Sequence, residues 1–545
     1  MGTVDSLLCL RLLSTYCREN KIPCFLAFID LTKAYDKVAR NALWVLLERL
    51  GVPLSIISLI KAMHDGSMAK VREESCFSEA FPLLMGLKQG SVFAPLLFNI
   101  FFGAIIKAIR VKLTSDNVNT LKVRCALGAV PFDPFTTTAD RQLLKATEQF
   151  EITDFLYADD TVFPARSEEE LQAVMDIAHL ILTAFGQEIS VKKTEVLIVQ
   201  PKSAAEVYEG IVLGGASLKS VSQFKYVGSV VNCDGNVDDE VERRVRLMWM
   251  SYTKFRENVF ENFALDLHSR LLAFQAFVMT CGLYGCETWN SRKEHATKLE
   301  GAQYAMLSHM LRYHWSFRKS FADVIHKCRS VNVDILPAGI MIIRQRLAYF
   351  GHVCRMGPDR LPRRLLMARL VLEDDQKTRV GPEQSYANVI AEDLAAFGII
   401  QRIPGLNPSQ WNAHRWKTIL AMTSDRPNWR CKVKRDGIAL SMHHFFESRC
   451  ASSNKRHIND VDFLPKTPYV FNHVCSLHEK KPQEPMELCE LVDFSEAIAS
   501  GAVCTGRGRY ERRGRIAAII PAVSAVSSTL RVSYARSCLD KIRSP

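Results

Sequence analysis

The sequence predicts an α+β fold, strands and helices followed by a long helical region. Three observations predict it. Pro23 to Ile29, Pro-Cys-Phe-Leu-Ala-Phe-Ile, is an almost wholly apolar run that reads as a buried strand. Residues 155–163, Phe-Leu-Tyr-Ala-Asp-Asp-Thr-Val-Phe, are two short apolar runs joined by a small residue and two carboxylates, the pattern of a β-hairpin. Val237, Val241, Val245 and Met248 recur at helical spacing beside Arg243, Arg244 and Arg246, opening the helical part.

Along the chain, the first strand ends at Asp30, and Leu43, Leu46, Leu47 and Leu50 then follow at helical spacing. Asp30 therefore stands where a strand gives way to a helix, either as a helix N-cap or facing a site at the sheet end. Gly86 and Gly90 mark a turn that allows close backbone approach, and Pro95 begins an apolar helix through Leu96, Leu97, Phe98 and Ile100. Residues 121–150 show no clean periodicity and read as an insertion ahead of the hairpin.

Asp159 and Asp160 carry the chemistry. Adjacent acids between strand-forming residues repel unless a cation neutralises them, and hard oxygen ligands suit Mg²⁺ or Mn²⁺. A solvated hairpin tip gives the same local pattern. If the strand ending at Asp30 pairs with this hairpin, three carboxylates meet at one sheet end, where divalent cations make the cluster tolerable and can clamp a phosphoryl displacement.

Composition agrees with a nucleic-acid partner. Lys plus Arg number 70 against 58 Asp plus Glu, a net charge of +12. Arg344, Arg346, Arg355, Arg360, Arg363, Arg364 and Arg369 surround Tyr349, Phe350 and His352, a mixture suited either to phosphate contact and stacking or to the charged face of an amphipathic region. Hydrophobic residues make up 48% and aromatics 9%, as in a globular chain. None of the 16 cysteines forms a Cys-x-x-Cys pair, and His473, Cys475 and His478 lack a second ligand cluster, so neither disulfides nor a zinc knuckle is expected. Met-Gly-Thr-Val-Asp-Ser fits a myristoylation pattern, but Leu7, Leu8, Leu10 and Leu12 read as the face of a helix. Ile516 to Leu530 contains Pro521 and falls short of a bilayer span, so no membrane anchor is expected.

Phe28 to Asp36, Gly86 to Asn99 and Tyr157 to Asp160 resemble three successive palm motifs of reverse transcriptases, in the family's order. Phe185-Gly186 with Ile189 and Lys193-Thr194-Glu195 resembles the next motif, and Phe224 to Ser229 the primer-grip segment of non-LTR (LINE-type) retrotransposon enzymes. Leu283 to Trp289 and Arg346 to Met356 are similar to the C-terminal region of that group, so the resemblance covers roughly residues 1–450.

The resemblance implies a right-hand polymerase palm (an antiparallel sheet with helices packed on one face), a helical thumb and an RNA-directed DNA polymerase, a nucleotidyltransferase using Mg²⁺ or Mn²⁺. Asp30, Asp159 and Asp160 would hold the metals. Tyr35 would exclude a 2′-hydroxyl and so favour deoxynucleotides. Gln89 and Gly90 would meet the nucleotide, Lys193 would serve the triphosphate as a proton donor, and Phe224, Tyr226 and Gly228 would form the primer grip. Implied partners are an RNA template, a DNA primer and deoxynucleoside triphosphates, in the nucleus or a cytoplasmic ribonucleoprotein. Residues 1–235 would be the palm with partial fingers, 236–330 a thumb-like region, 331–455 a basic helical module and 456–545 a disordered or unrelated tail. Only 29 residues precede Asp30, so an N-terminally truncated chain without full fingers is expected, and Ser190 stands where relatives often place Asn. A second reading is a catalytically inactive remnant that at most binds nucleic acid.

Overall fold

The structure, a computed structural model, describes residues 2–19, 23–74, 76–88, 90–126, 147–199, 210–314, 318–366, 368–369, 386–400, 413–452, 503–505 and 509–511. Met1–Leu47 with Leu54–Ser453 form one compact unit, and Glu48–Pro53 with Asn454–Pro545 form another. In the second unit, Val503–Thr505 pairs antiparallel with Arg509–Glu511; the remainder of the expected tail, and the cluster around His473, lie outside the described residues.

The first unit is mixed α and β. Its main sheet has five strands: β1 (Cys24–Ile29), β2 (Phe155–Tyr157), β3 (Asp160–Ala165), β4 (Glu195–Val199) and β5 (Lys219–Val221), in the order β5-β4-β1-β3-β2. All six residues of β1 are buried, as its unbroken apolar run requires. It pairs antiparallel with β4, from Cys24 opposite Val199 to Phe28 opposite Glu195, and with β3, from Phe25 opposite Ala165 to Ile29 opposite Thr161. The pairing expected between the first strand and the hairpin is therefore present. Phe28 stacks on Phe224 at 4.1 Å, which fastens the Gln223–Tyr226 strand over the sheet.

The helix expected to follow Asp30 directly begins later, at Arg40, with a turn over Thr32 to Lys37 between them. Asp30 is thus not its N-cap. The helix Ala94–Ser115 has Pro at its first turn, where no N–H is needed, and buries Leu97, Phe98, Phe101, Phe102, Ile105, Ile106, Ile109 and Leu113 along one stripe. It is long and apolar enough to cross a membrane by length and composition, yet its buried stripe already packs inside the protein. Arg110 in this helix forms a two-pronged pair with buried Asp154, at 2.8 and 2.9 Å, and so holds the helix beside the root of β2. The helix Glu168–Ala184 opens with Ser167 accepting from the Glu170 amide and three glutamates in its first turn.

Part of the expected insertion is ordered sheet. Leu121–Ala126 and Thr147–Ile152 pair antiparallel, from Leu121 opposite Ile152 to Ala126 opposite Thr147, and the residues between them lie outside the described ones. From Asp238 onward the described residues are mostly helical. A single hydrophobic core runs from Leu7 in the first helix through Leu26, Val241 and Leu347 to Met442, so the segments divided at 235 and 330 share one interior.

Candidate active site

Register places the acids. Because Ile29 stands opposite Thr161 in an antiparallel pair, the next residue on one strand, Asp30, and the preceding residue on the other, Asp160, emerge at the same sheet end. Asp159 sits in the two-residue turn between β2 and β3, beside Ala158, whose φ of +54° is a left-handed conformation unusual for a residue with a Cβ. Burial, then the charges of Asp159 and Asp30, push the Asp160 carboxyl up to about 6. The three carboxylates thus form one electrostatic cluster.

Asp30 is fixed through its backbone. Its carbonyl accepts from the Ser190 amide at 2.8 Å, its own amide donates to Thr194 Oγ1 at 3.3 Å, and Leu31 bridges to Ile189. Asp30 Oδ2 is sheltered from water without a hydrogen-bond partner; the Lys193 ammonium lies 3.2 Å away, close enough for charge pairing but off the direction of a hydrogen bond. That Lys193 is mostly exposed keeps the pair weak. A sheltered, unbonded carboxylate oxygen at the sheet end that also carries Asp159 and Asp160 offers hard oxygens of the kind that suit Mg²⁺ or Mn²⁺, while the three-residue group whose ligand atoms lie within 4.8 Å of one another among the described residues is His443, His444 and Glu447.

Tyr35 stacks on Phe98 at 4.3 Å, and burial followed by the Asp159 charge raises its phenol. The turn carrying Gly86 presses onto the same region. A Cβ on Gly86, which has φ +83°, would lie 2.5 Å from the Asp36 carbonyl oxygen, so only glycine permits the approach. Gly86 N donates to Val38 O and Leu87 N to Tyr35 O, each at 2.9 Å. Gly90, at φ +86°, borders open space, and Gln89 lies outside the described residues.

The segment read as the primer grip is a hairpin, Gln223–Tyr226 with Ser229–Asn232, turning at Val227 and Gly228. Phe224 is half-buried over Phe28, while Tyr226 is 2% exposed, so its ring belongs to the core and cannot face a primer from this position. The Gly228 carbonyl accepts from Arg243 and Arg244, and Tyr284 Oη donates to Val227 O at 2.8 Å. These contacts attach the hairpin to the helical region.

The arginines offered for phosphate contact are largely committed elsewhere. Arg346 is buried and bonds Asp393 at 2.6 Å and the Trp289 carbonyl at 2.6 Å. Arg355 donates to Thr423 O, Arg363 to Met356 O, and Arg364 lies over the Phe150 ring. Arg360 remains exposed. Gly351 in the same stretch makes room for Trp429, whose indole nitrogen would lie 2.1 Å from a Cβ there. The sequence also gave no sign of Arg40, whose guanidinium gathers four backbone carbonyls near Gly86.

With this geometry in place, residues 2–231 match the family model described as reverse transcriptase (RNA-dependent DNA polymerase). Relatives of this chain include the Pol polyprotein of the type-2 retrotransposable element R2DM of Drosophila melanogaster, 23% identical over 43% of this chain and 20% of that protein. The RNA-directed DNA polymerase of the mobile element jockey from the same species is 22% identical over 66% of this chain and 35% of its own length. The non-LTR resemblance read from the motifs is therefore present in whole-sequence similarity, and the chain spans well under half the length of these two relatives. Among solved structures, telomerase from Candida albicans aligns at a TM-score of 0.30 and 11% identity, covering 61% of this chain and 55% of that one.

Proposed function

We propose that this chain is an RNA-directed DNA polymerase of a non-LTR retrotransposon, transferring nucleotides from deoxynucleoside triphosphates to the 3′-hydroxyl of a primer on an RNA template. One observation carries the reading: the pairing of β1 with β3 sets Asp30 and Asp160 at one sheet end beside Asp159, where burial and the two neighbouring acids oppose the charge of Asp160. The sheet and its helices would then serve as the palm and the region from Asp238 as the thumb.

Asp30, Asp159 and Asp160 would hold divalent metal. When bound, it supplies charge that activates the primer hydroxyl and neutralises the triphosphate. The chain's own residues do the rest. Tyr35, braced by Phe98, fills the space a 2′-hydroxyl would need, so selection for deoxyribose works by exclusion. By the motif resemblance, Gln89 and Gly90 would meet the nucleotide. Lys193, on its turn beside Asp30, is placed to give a proton to the departing pyrophosphate. Phe224, half-buried over Phe28, and the Val227–Gly228 turn, held by Tyr284, Arg243 and Arg244, are the parts of the primer-grip hairpin proposed to lie along a primer.

The test is incorporation of labelled deoxythymidine triphosphate on oligo(dT)-primed poly(rA), with and without Mg²⁺, for the chain and for an Asp159→Ala, Asp160→Ala double variant. Mg²⁺-dependent incorporation that falls to background in the variant is expected. No incorporation by either, from folded protein that retains primer-template on a filter, marks a remnant that binds without catalysing.

A further inference from the structure

Arg40 opens the helix Arg40–Arg49. Its guanidinium is used as a clamp on backbone. Nε donates to Gly86 O at 2.9 Å, Nη1 to Leu83 O at 2.8 Å and His64 O at 3.1 Å, and Nη2 to Met85 O at 3.2 Å. Three separate pieces of chain are therefore held by one planar fork: the start of its own helix, the end of the Leu54–Ala62 helix, and residues 83–86 leading into the Gly86–Gly90 turn. A lysine could not reproduce this, since a single ammonium lacks the spread of five coplanar N–H donors.

The opposite edge of the turn is bonded to the residues around Tyr35. Gly86 N meets Val38 O, Leu87 N meets Tyr35 O, and Gly86 rests against the Asp36 backbone too tightly for any Cβ. The turn is thus gripped on one edge by the Tyr35 segment and on the other by Arg40. Its height above the Tyr35 ring depends on both grips, and only the Arg40 grip is a side chain.

We infer that Arg40 is a positioning residue for nucleotide selection: it fixes the Gly86–Gly90 turn against Tyr35 and so sets the width of the space that takes the incoming sugar and base. The inference rests on the polymerase reading above and deepens it. A loosened turn widens that space. Deoxynucleotide then binds more weakly, and a ribonucleotide is refused less strictly, while the carboxylates on β1 and β3 stay where they are.

The experiment compares the full chain with Arg40→Met and Arg40→Lys in two arms. In the kinetic arm, Arg40→Met is expected to raise KM for deoxynucleotide roughly tenfold, the worth of about one charge-assisted hydrogen bond, with kcat changed less than about twofold. Preference for deoxynucleotide over ribonucleotide should fall by a similar factor, and Arg40→Lys should lie between the two. A purely structural role would lower the amount of active protein, and hence kcat, at unchanged KM and preference; that outcome overturns the inference. In the second arm, hydrogen exchange at the Gly86 and Leu87 amides should quicken in Arg40→Met while the β1 and β3 amides keep their protection. Should Arg40→Met fail to fold, Arg40→Lys carries both arms. If the wild-type chain incorporates nothing, the polymerase reading fails by itself, and unchanged exchange at Gly86 and Leu87 overturns the positioning role independently.

Discussion

Asp160 shows how one residue ties stability to ligand. Its carboxyl titrates near 6, above the ordinary carboxylate range, because burial and then Asp159 and Asp30 oppose its charge. The folded chain therefore holds this proton more tightly than the unfolded chain does. Its contribution favours folding below about 6 and is lost as pH rises through that value. Without divalent metal, thermal scans on either side of pH 6 should show wild type losing stability relative to Asp160→Asn as pH rises, and Mg²⁺ should recover more stability in wild type than in the variant. A gap between the two proteins that does not change with pH would contradict this. The position of the acids at strand ends was legible in the sequence because an apolar run stops at Asp30 and two apolar runs meet at Asp159 and Asp160. Arg40 and Tyr226 were not: an arginine at a helix start looks the same whether it is solvated or clamping carbonyls, and an aromatic in a strand carries no mark of the face it takes.

At the scale of elements, the two glycines of the second motif do different work. Gly86 combines φ +83° with a backbone wall at 2.5 Å, whereas Gly90 combines φ +86° with open space. Gly90→Ala should cost about 1 kcal/mol, the left-handed penalty alone. Gly86→Ala should cost at least about 2 kcal/mol, since either the turn or the Asp36 backbone must move as well. Chemical denaturation of both variants checks the order, and equal costs would mean the wall yields freely. The strand at 24–29 was readable because full burial on both faces leaves an unbroken apolar run, and the hairpin at 155–163 because two short apolar runs meet at a small residue and two acids. The strands Leu121–Ala126 and Thr147–Ile152, which share a three-stranded sheet with Ala368–Arg369, were not, since their Lys, Arg and Glu residues hide the alternation that marks a strand.

Across the first unit, a core that joins the first helix and β1 to the helical region means that damage far from the carboxylates is felt as loss of fold. Arg346 and Asp393 join the helices Ala338–Cys354 and Tyr386–Ala396 through a pair whose side chains are 4% and 6% exposed. Arg346→Met alone should cost about 3–5 kcal/mol because it strands the Asp393 charge, and adding Asp393→Leu should recover roughly half or more of that loss. Denaturation midpoints of the single and double variants decide it; a double variant no better than the single would show that the Trp289 and Ser291 contacts of Arg346 matter more than the ion pair. Sequence charge alone suggested a phosphate-binding surface here, because patterning along a chain cannot separate an arginine turned inward from one turned out. The strand pair at 121–152 has a different bearing, on protein engineering. Its strands bring Ala126 and Thr147 face to face, so the chain leaves and re-enters at neighbouring points. Closure entropy grows only slowly with the length joining such points. A fluorescent reporter whose own ends lie close together could be spliced between them, giving a labelled protein whose three acids keep their register.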